Sequence, residues 1–125
     1  MRGLDAGGNA YVTKPLLRDG MQQRRCLIPA SHYFEWQQLA NKKIKNAIKP
    51  VNSTAMYMAG LYRFQNGVPE FIILTREPGD SIRHIHDRMP VILRSEHIQE
   101  YLGDAVSAER LLTETPPVLI KRLVS

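Results

Sequence analysis

The chain of 125 residues holds one cysteine, Cys26, and one tryptophan, Trp36. A lone thiol excludes an internal disulfide framework and falls short of the ligand set of a structural zinc site. Nowhere does an apolar run approach the roughly 20 residues that a membrane helix needs, and Met1 to Asp5 lacks the apolar stretch of a signal peptide. No membrane partner and a cytoplasmic location are therefore expected. The sequence also has no phosphate loop, dinucleotide-binding fingerprint, nucleophile elbow, internal repeat or low-complexity segment. No cofactor is implied.

What is present suffices for one core. A hydrophobic fraction of 43% and a charged fraction of 23% are those of an ordinary globular domain, and a chain of this size buries about two thirds of its open surface. The net charge of +5 is unevenly spread: residues 1–50 carry nine Lys/Arg against three Asp/Glu, and residues 51–125 carry eight against nine. The whole surplus lies in the first part. Such an asymmetry suits either a polyanion, whose counterions lysine and arginine displace, or a solvated basic face.

Residues 1–13, with Gly3, Gly7 and Gly8, read as a loop or edge packed against something N-terminal to it, and a short amphipathic stretch with Leu16, Leu17 and Met21 follows. Cys26-Leu27-Ile28 and Tyr33-Phe34-Glu35-Trp36 read as two short strands around the turn Pro29-Ala30-Ser31. The basic segment from Asn41 to Lys49 is short of strong apolar residues and predicts an exposed loop or hairpin tip. Ala55 to Phe64 and Phe71 to Thr75 form strands joined through Asn66-Gly67, the strongest hairpin signal in the chain. Both are continuously apolar, which implies burial on two faces. After a short polar segment, Ser81 to Met89, comes the apolar run Pro90-Val91-Ile92-Leu93. Ser95 reads as the N-cap of a helix through Leu102 that stops at Gly103; a second helix runs from Ser107 to about Thr113, and a last strand from Val118 to Val124. The predicted class is α+β with a mainly antiparallel sheet.

Two places could carry chemistry. Glu35 lies among aromatic residues on a strand, where poor solvation favours proton exchange. Strict alternation favours the opposite placement, with Phe34 and Trp36 inward and Glu35 on the exposed face. Trp36 is then core; facing outward it becomes a platform on which an unpaired base stacks. The second place is His84-Ile85-His86-Asp87-Arg88-Met89-Pro90, which sets two imidazoles, a carboxylate and a guanidinium between apolar strands. His86 is suited to general acid or base work. The pair His84/His86 has no third ligand and lacks the helical spacing of a zinc protease, so no metal is expected. Cys26, beside Arg24 and Arg25, has cations that favour a thiolate, yet it opens an apolar strand and fits a small buried residue better.

Taken together, Arg24 to Ala30, Tyr33-Phe34-Glu35-Trp36, Ala59-Gly60-Leu61-Tyr62, Ile73-Leu74-Thr75 and Ile85 to Leu93 resemble, in order and spacing, the SRAP family of SOS response-associated peptidases, or abasic-site processing proteins. The resemblance spans residues 14–125 and implies a partly open, mainly antiparallel β-barrel with short flanking helices, present as a single partial domain without its N-terminal part. It further implies capture of abasic sites in single-stranded DNA within the SOS response to DNA damage, in the cytoplasm and on the nucleoid. The amine and thiol of an N-terminal Cys close on the ring-opened sugar as a thiazolidine crosslink, later released by reversal or autoproteolysis. Glu35 corresponds to the family's active-site glutamate and His86 to the histidine that assists ring opening. Trp36, Arg24, Arg25, Arg88 and Thr75 correspond to DNA-contacting positions.

The family begins Met-Cys-Gly, whereas Arg2 stands second here and no cysteine precedes Cys26. Cys26 matches an internal family cysteine rather than the nucleophile. The family's Asn-Ala-Arg motif falls on Asp5-Ala6-Gly7, or with a deletion on Asn9-Ala10-Tyr11, and its arginine is absent in both. By itself the chain is expected to bind DNA feebly, if at all, to form no thiazolidine and to be inactive. Two other readings are a non-catalytic single-stranded nucleic-acid binding module, using the basic half and Trp36, and a thiol peptidase built on Cys26.

Overall fold

The computed structural model describes residues 3–5 and 15–124. Strand β1 (Gly3–Asp5) precedes helix α1 (Pro15–Gln23). Then come β2 (Arg25–Ala30), β3 (Tyr33–Leu39), β4 (Lys42–Pro50) and the hairpin β5 (Met56–Gln65) and β6 (Val68–Arg76). The short strands β7 (Met89–Pro90) and β8 (Ile92–Leu93) lead to a 3-10 turn at Ser95–His97, helices α2 (Ile98–Gly103) and α3 (Ala105–Leu111), and strand β9 (Leu119–Leu123).

Two sheets result. The larger runs β1-β6-β5-β2, with β7 added to β6 and β8 to β5; all its pairings are antiparallel except that of β1 with β6. The smaller is the antiparallel set β3-β4-β9. The architecture is the expected one, mainly antiparallel and open rather than closed.

Strand β5 shows why the apolar runs are continuous. Ala59 and Leu61 join Leu17, Met21, Tyr101 and Leu111 in a core under the helices, while Met56 and Met58 join Ile48, Ile73, Ile82 and Leu119 in a core between the sheets. From Met56 to Leu61 alternate residues thus enter two different interiors; the expected burial on both faces stops there, and Tyr62, Phe64 and Phe71 at the hairpin end are exposed. On α1, Leu17 and Met21 stand one turn apart and are fully buried. The hairpin turn takes φ of 54° at Asn66 and 78° at Gly67, the left-handed pair that a two-residue turn between twisted strands requires.

Several expectations are corrected. Of the basic segment 41–49 only Asn41 lies at a hairpin tip, the β3–β4 turn; from Lys42 it is no loop, and β4 is the middle strand of the smaller sheet, paired on both sides. Its strong apolar residues are few, but their period is two, and Ile44, Asn46 and Ile48 turn inward while Lys43, Lys45 and Lys49 turn out. Within residues 1–13, Gly3–Asp5 forms a strand at the edge of the larger sheet; Ala6, Gly7, Asn9, Ala10 and Tyr11, and with them both candidate positions of the Asn-Ala-Arg motif, lie outside the described residues. Strands β2 and β3, adjacent in sequence, pair in different sheets. The helix foreseen from Ser95 divides into a 3-10 turn and α2, neither with a side-chain cap, and Gly103 closes α2 from within. Asp104 then caps α3 by accepting from the Ser107 backbone N–H at 3.0 Å, and the two Ser107 bonds hold its carboxyl below the ordinary carboxylate range.

Candidate active site

Where β2 ends and β3 begins, the chain passes from one sheet to the other through Ser31 and His32 and leaves a cleft of about 580 Å³. Its walls include Ile28 and Ala30 from β2, Tyr33 and Glu35 from β3, Ile73 and Thr75 from β6, and His86 and Arg88 from the segment before β7. That segment is fixed by Ile82 and Ile85, both buried between the sheets. The Ile85 and His86 backbone N–H groups donate to the Ile82 carbonyl. Two apolar anchors three residues apart thereby hold the turn while His86 points into the cleft.

Glu35 Oε1 lies 3.5 Å from His86 Nε2, with the carboxylate 26% and the imidazole 40% exposed. The other ring nitrogen has two partners. The Arg88 backbone N–H donates to Nδ1 at 3.2 Å, and Asp87 Oδ1 stands 3.2 Å from the same atom. An accepting Nδ1 places the single proton of the neutral ring on Nε2, facing Glu35; a protonated ring donates from Nδ1 to Asp87 instead. Both charge states of His86 therefore have a ready partner. That is the arrangement a proton-transfer group needs.

Strand β3 does alternate, but in the phase opposite to the one that places Phe34 and Trp36 inward. Glu35 faces inward with Tyr33 and Gln37, while Phe34 and Trp36 are 50% and 52% exposed. The register explains it: Tyr33 pairs with the buried Ile48 and Glu35 with the buried Asn46, whereas Trp36 pairs with Lys45 on the outer face. Lys45 Nζ lies 4.3 Å from the Phe34 ring centroid and 5.8 Å from that of Trp36, so both rings keep an exposed side under a cation.

The other residues singled out in the sequence divide. Thr75 and Arg88 line the cleft beside Glu35 and His86. Arg24 and Arg25 stand at the far end of β2, where Arg25 pairs with Leu61. Arg24 Nε donates to the Tyr62 carbonyl at 3.0 Å. The Arg25 guanidinium donates to the carbonyls of Met21 and Gln22 at the end of α1, and to those of Tyr101 (2.6 Å) and Leu102 (3.3 Å) at the end of α2. It ties two helix C-termini to the sheet, a favourable place for a cation. Cys26 is half-buried outside the cleft walls, and burial pushes its thiol up, away from the thiolate. The structure therefore brings Glu35 and His86 together without it.

Two residues of this site escaped the sequence. Gln37, buried on the same face as Glu35, donates to the His84 carbonyl at 3.3 Å and so ties β3 to the histidine segment. Its only signal was its position two residues after Glu35. The Tyr33 hydroxyl is buried with no partner among the described residues, and burial, followed by the Glu35 charge, pushes its phenol well above the ordinary range. Among the described residues no three His, Cys, Asp or Glu side chains come together as a metal site, and no helix is long and apolar enough to cross a membrane.

An open α+β fold with an acid–imidazole cleft between two mainly antiparallel sheets is the class that these features define. Residues 3–121 match the family described as SOS response associated peptidase (SRAP), and the chain belongs to that family. It is 38% identical over 106 residues to the abasic site processing protein YoaM of Bacillus subtilis, covering 80% of this chain and 47% of that protein. It is 26% identical over 110 residues to the abasic site processing protein YedK of Escherichia coli, covering 85% and 48%. A crystal structure of a protein from Bacteroides thetaiotaomicron shares the fold, with a TM-score of 0.83 and 24% identity over 98% of this chain and 58% of that one. The chain thus spans about half the length of the relatives it matches.

Proposed function

We propose that this chain carries the sugar-binding and proton-transfer part of an abasic-site processing protein, and that its cleft takes an abasic nucleotide of single-stranded DNA. The observation that carries the reading is the Glu35–His86 pair, 3.5 Å apart in a cleft shared with Thr75 and Arg88. An abasic deoxyribose is a cyclic hemiacetal, and it opens when its C1′ hydroxyl loses a proton and its ring oxygen gains one. Glu35 takes the first; the Nε2–H of neutral His86 gives the second. The free aldehyde that results has no net change in atoms. An N-terminal Cys then condenses through its amine, with loss of water, and its thiol adds to the imine to close the thiazolidine. In this chain Cys26 does not supply that step, being half-buried and outside the cleft. Thr75 and Arg88 contact the strand in the cleft, and Trp36 stacks a neighbouring base outside it.

Binding of a labelled single strand with one abasic site, compared with the same strand intact, tests the reading. A preference of about tenfold for the abasic strand, roughly 1.4 kcal/mol, is expected, as is its loss in Glu35→Gln and His86→Gln with the affinity for the intact strand unchanged. Equal affinity for the two strands would favour the non-catalytic binding module and overturn the reading.

A further inference from the structure

On the side of the smaller sheet away from the core lies a second concavity, of about 360 Å³, bordered by Ser31, His32, Lys49, Thr54, Lys121 and Arg122. Two cations, Lys49 and Arg122, and two hydroxyls converge there. Lys49 and Arg122 are diagonal neighbours on one face, because Ala47 pairs with Arg122 and Lys49 with Ile120. No carboxylate pairs with Lys49 or Arg122 among the described residues, although Arg63 and Arg83 elsewhere each have one and Arg110 has two. Lys121 borders the hollow from the other face of β9, opposite Ile48, and its amine turns inward to the Gln37 side chain at 3.5 Å. Like charges gathered in a hollow without counter-charge raise a positive potential that an anion relieves.

The hollow is also continuous with what has been described. His32 borders both it and the cleft, and its ring stands edge-on to Phe34 at 4.9 Å. From His32 the outer face continues through Phe34, Lys45 and Trp36, alternating rings with cations. Charge alone fits any small anion. Charge combined with stacking rings in one continuous track fits a strand whose phosphates and unpaired bases alternate.

We propose that the groove formed by Lys49 and Arg122 with Ser31 and Thr54 is a second phosphate subsite, which holds the backbone of the same single strand some nucleotides away from the one seated in the cleft. The proposal rests on the cleft reading only in taking the two ligands to be one strand. Lys49 and Arg122 form the charged contacts; Ser31 and Thr54 donate hydroxyl hydrogen bonds to phosphate oxygens.

The test is the salt dependence of binding by the full chain and by the double variant Lys49→Gln/Arg122→Gln. Oligothymidylates of about 4 and about 16 nucleotides bracket a single-module footprint, and the longer strand is also used with and without one abasic site. For the longer strand the variant should bind several-fold more weakly at low salt. Its slope of log K against log salt should be shallower by about 0.7 for each phosphate that the protein no longer neutralises. The short strand should be unaffected, and Lys49→Arg/Arg122→Lys should restore both affinity and slope. An unchanged slope and affinity on the longer strand overturn the subsite while leaving the abasic preference to stand. Loss of abasic preference in the unmodified chain, with the slope still changed by the variant, overturns the cleft reading alone. Inorganic phosphate competing as well as the oligonucleotide marks a site for a small anion and overturns the strand.

Discussion

At the scale of single residues, the cleft combines one group ready to exchange protons with another that cannot. His86 has a partner for each of its charge states, whereas the Tyr33 hydroxyl has none among the described residues and is kept protonated by burial and by the Glu35 charge. Tyr101 is also raised, mainly by burial, although its hydroxyl donates to the Gly60 carbonyl at 2.7 Å. For both phenols the folded value exceeds the unfolded one near 10. Their stabilising effect is complete below about pH 10 and is lost as pH climbs through the folded value. In that window the folded state keeps a proton that the unfolded chain has released, so stability falls by about 1.4 kcal/mol per pH unit for each tyrosine. Tyr33→Phe should make the alkaline fall shallower and, by removing an unpaired buried hydroxyl, leave stability at pH 7 unchanged or raise it by about 1 kcal/mol. Urea midpoints at neutral and alkaline pH measure both, and a loss of stability at pH 7 would contradict the assignment. The sequence showed Glu35 and His86 as chemically odd, because a carboxylate among rings and a histidine among charges are visible without coordinates. It did not show which way β3 faces, since that depends on Ile48 and Asn46 across the sheet.

The elements tell a similar story of local signals that held and long-range ones that could not be read. Asn66-Gly67 fixed the β5–β6 hairpin because its turn depends on two residues alone. Strand β4 was missed because its lysines look like a loop until β3 and β9 lie on either side, where alternate residues become the wall of a core. Gly60, in the middle of β5, is held to glycine by close packing. A Cβ at Gly60 would stand 2.9 Å from the Ile72 carbonyl oxygen and would collide with the Ile28 side chain. Gly60→Ala should cost about 1–3 kcal/mol through forced shifts of β2 and β6, read as a lower urea midpoint with an unchanged slope. A variant as stable as the parent would show that the strands part freely there.

Across the whole molecule, the helices and the two sheets form layers, and among the described residues Arg25 links helices to sheet through four carbonyls. Its guanidinium meets the ends of α1 and α2 from the first residue of β2. The family resemblance assigns it to DNA, but its donors face four carbonyls far from the cleft end of β2. Arg25→Gln should therefore lower stability by about 2 kcal/mol and leave the affinity for single-stranded DNA unaltered at temperatures where the variant is folded. A stable variant with weakened binding would return Arg25 to the DNA. The layers also leave the outer face of the hairpin bare, with Tyr62, Phe64 and Phe71 exposed.

The outward turn of Trp36 has a consequence for watching the protein at work. It is the only indole in the chain, half exposed and beside Lys45 on the outer side of the sheet that walls the cleft. Its ultraviolet emission comes from that one spot. A strand laid along the outer track should change its colour and shield it from quenchers, whereas a free sugar lodged behind the sheet should leave the emission as it was. The protein thus carries a built-in reporter that separates occupation of its two faces without any label.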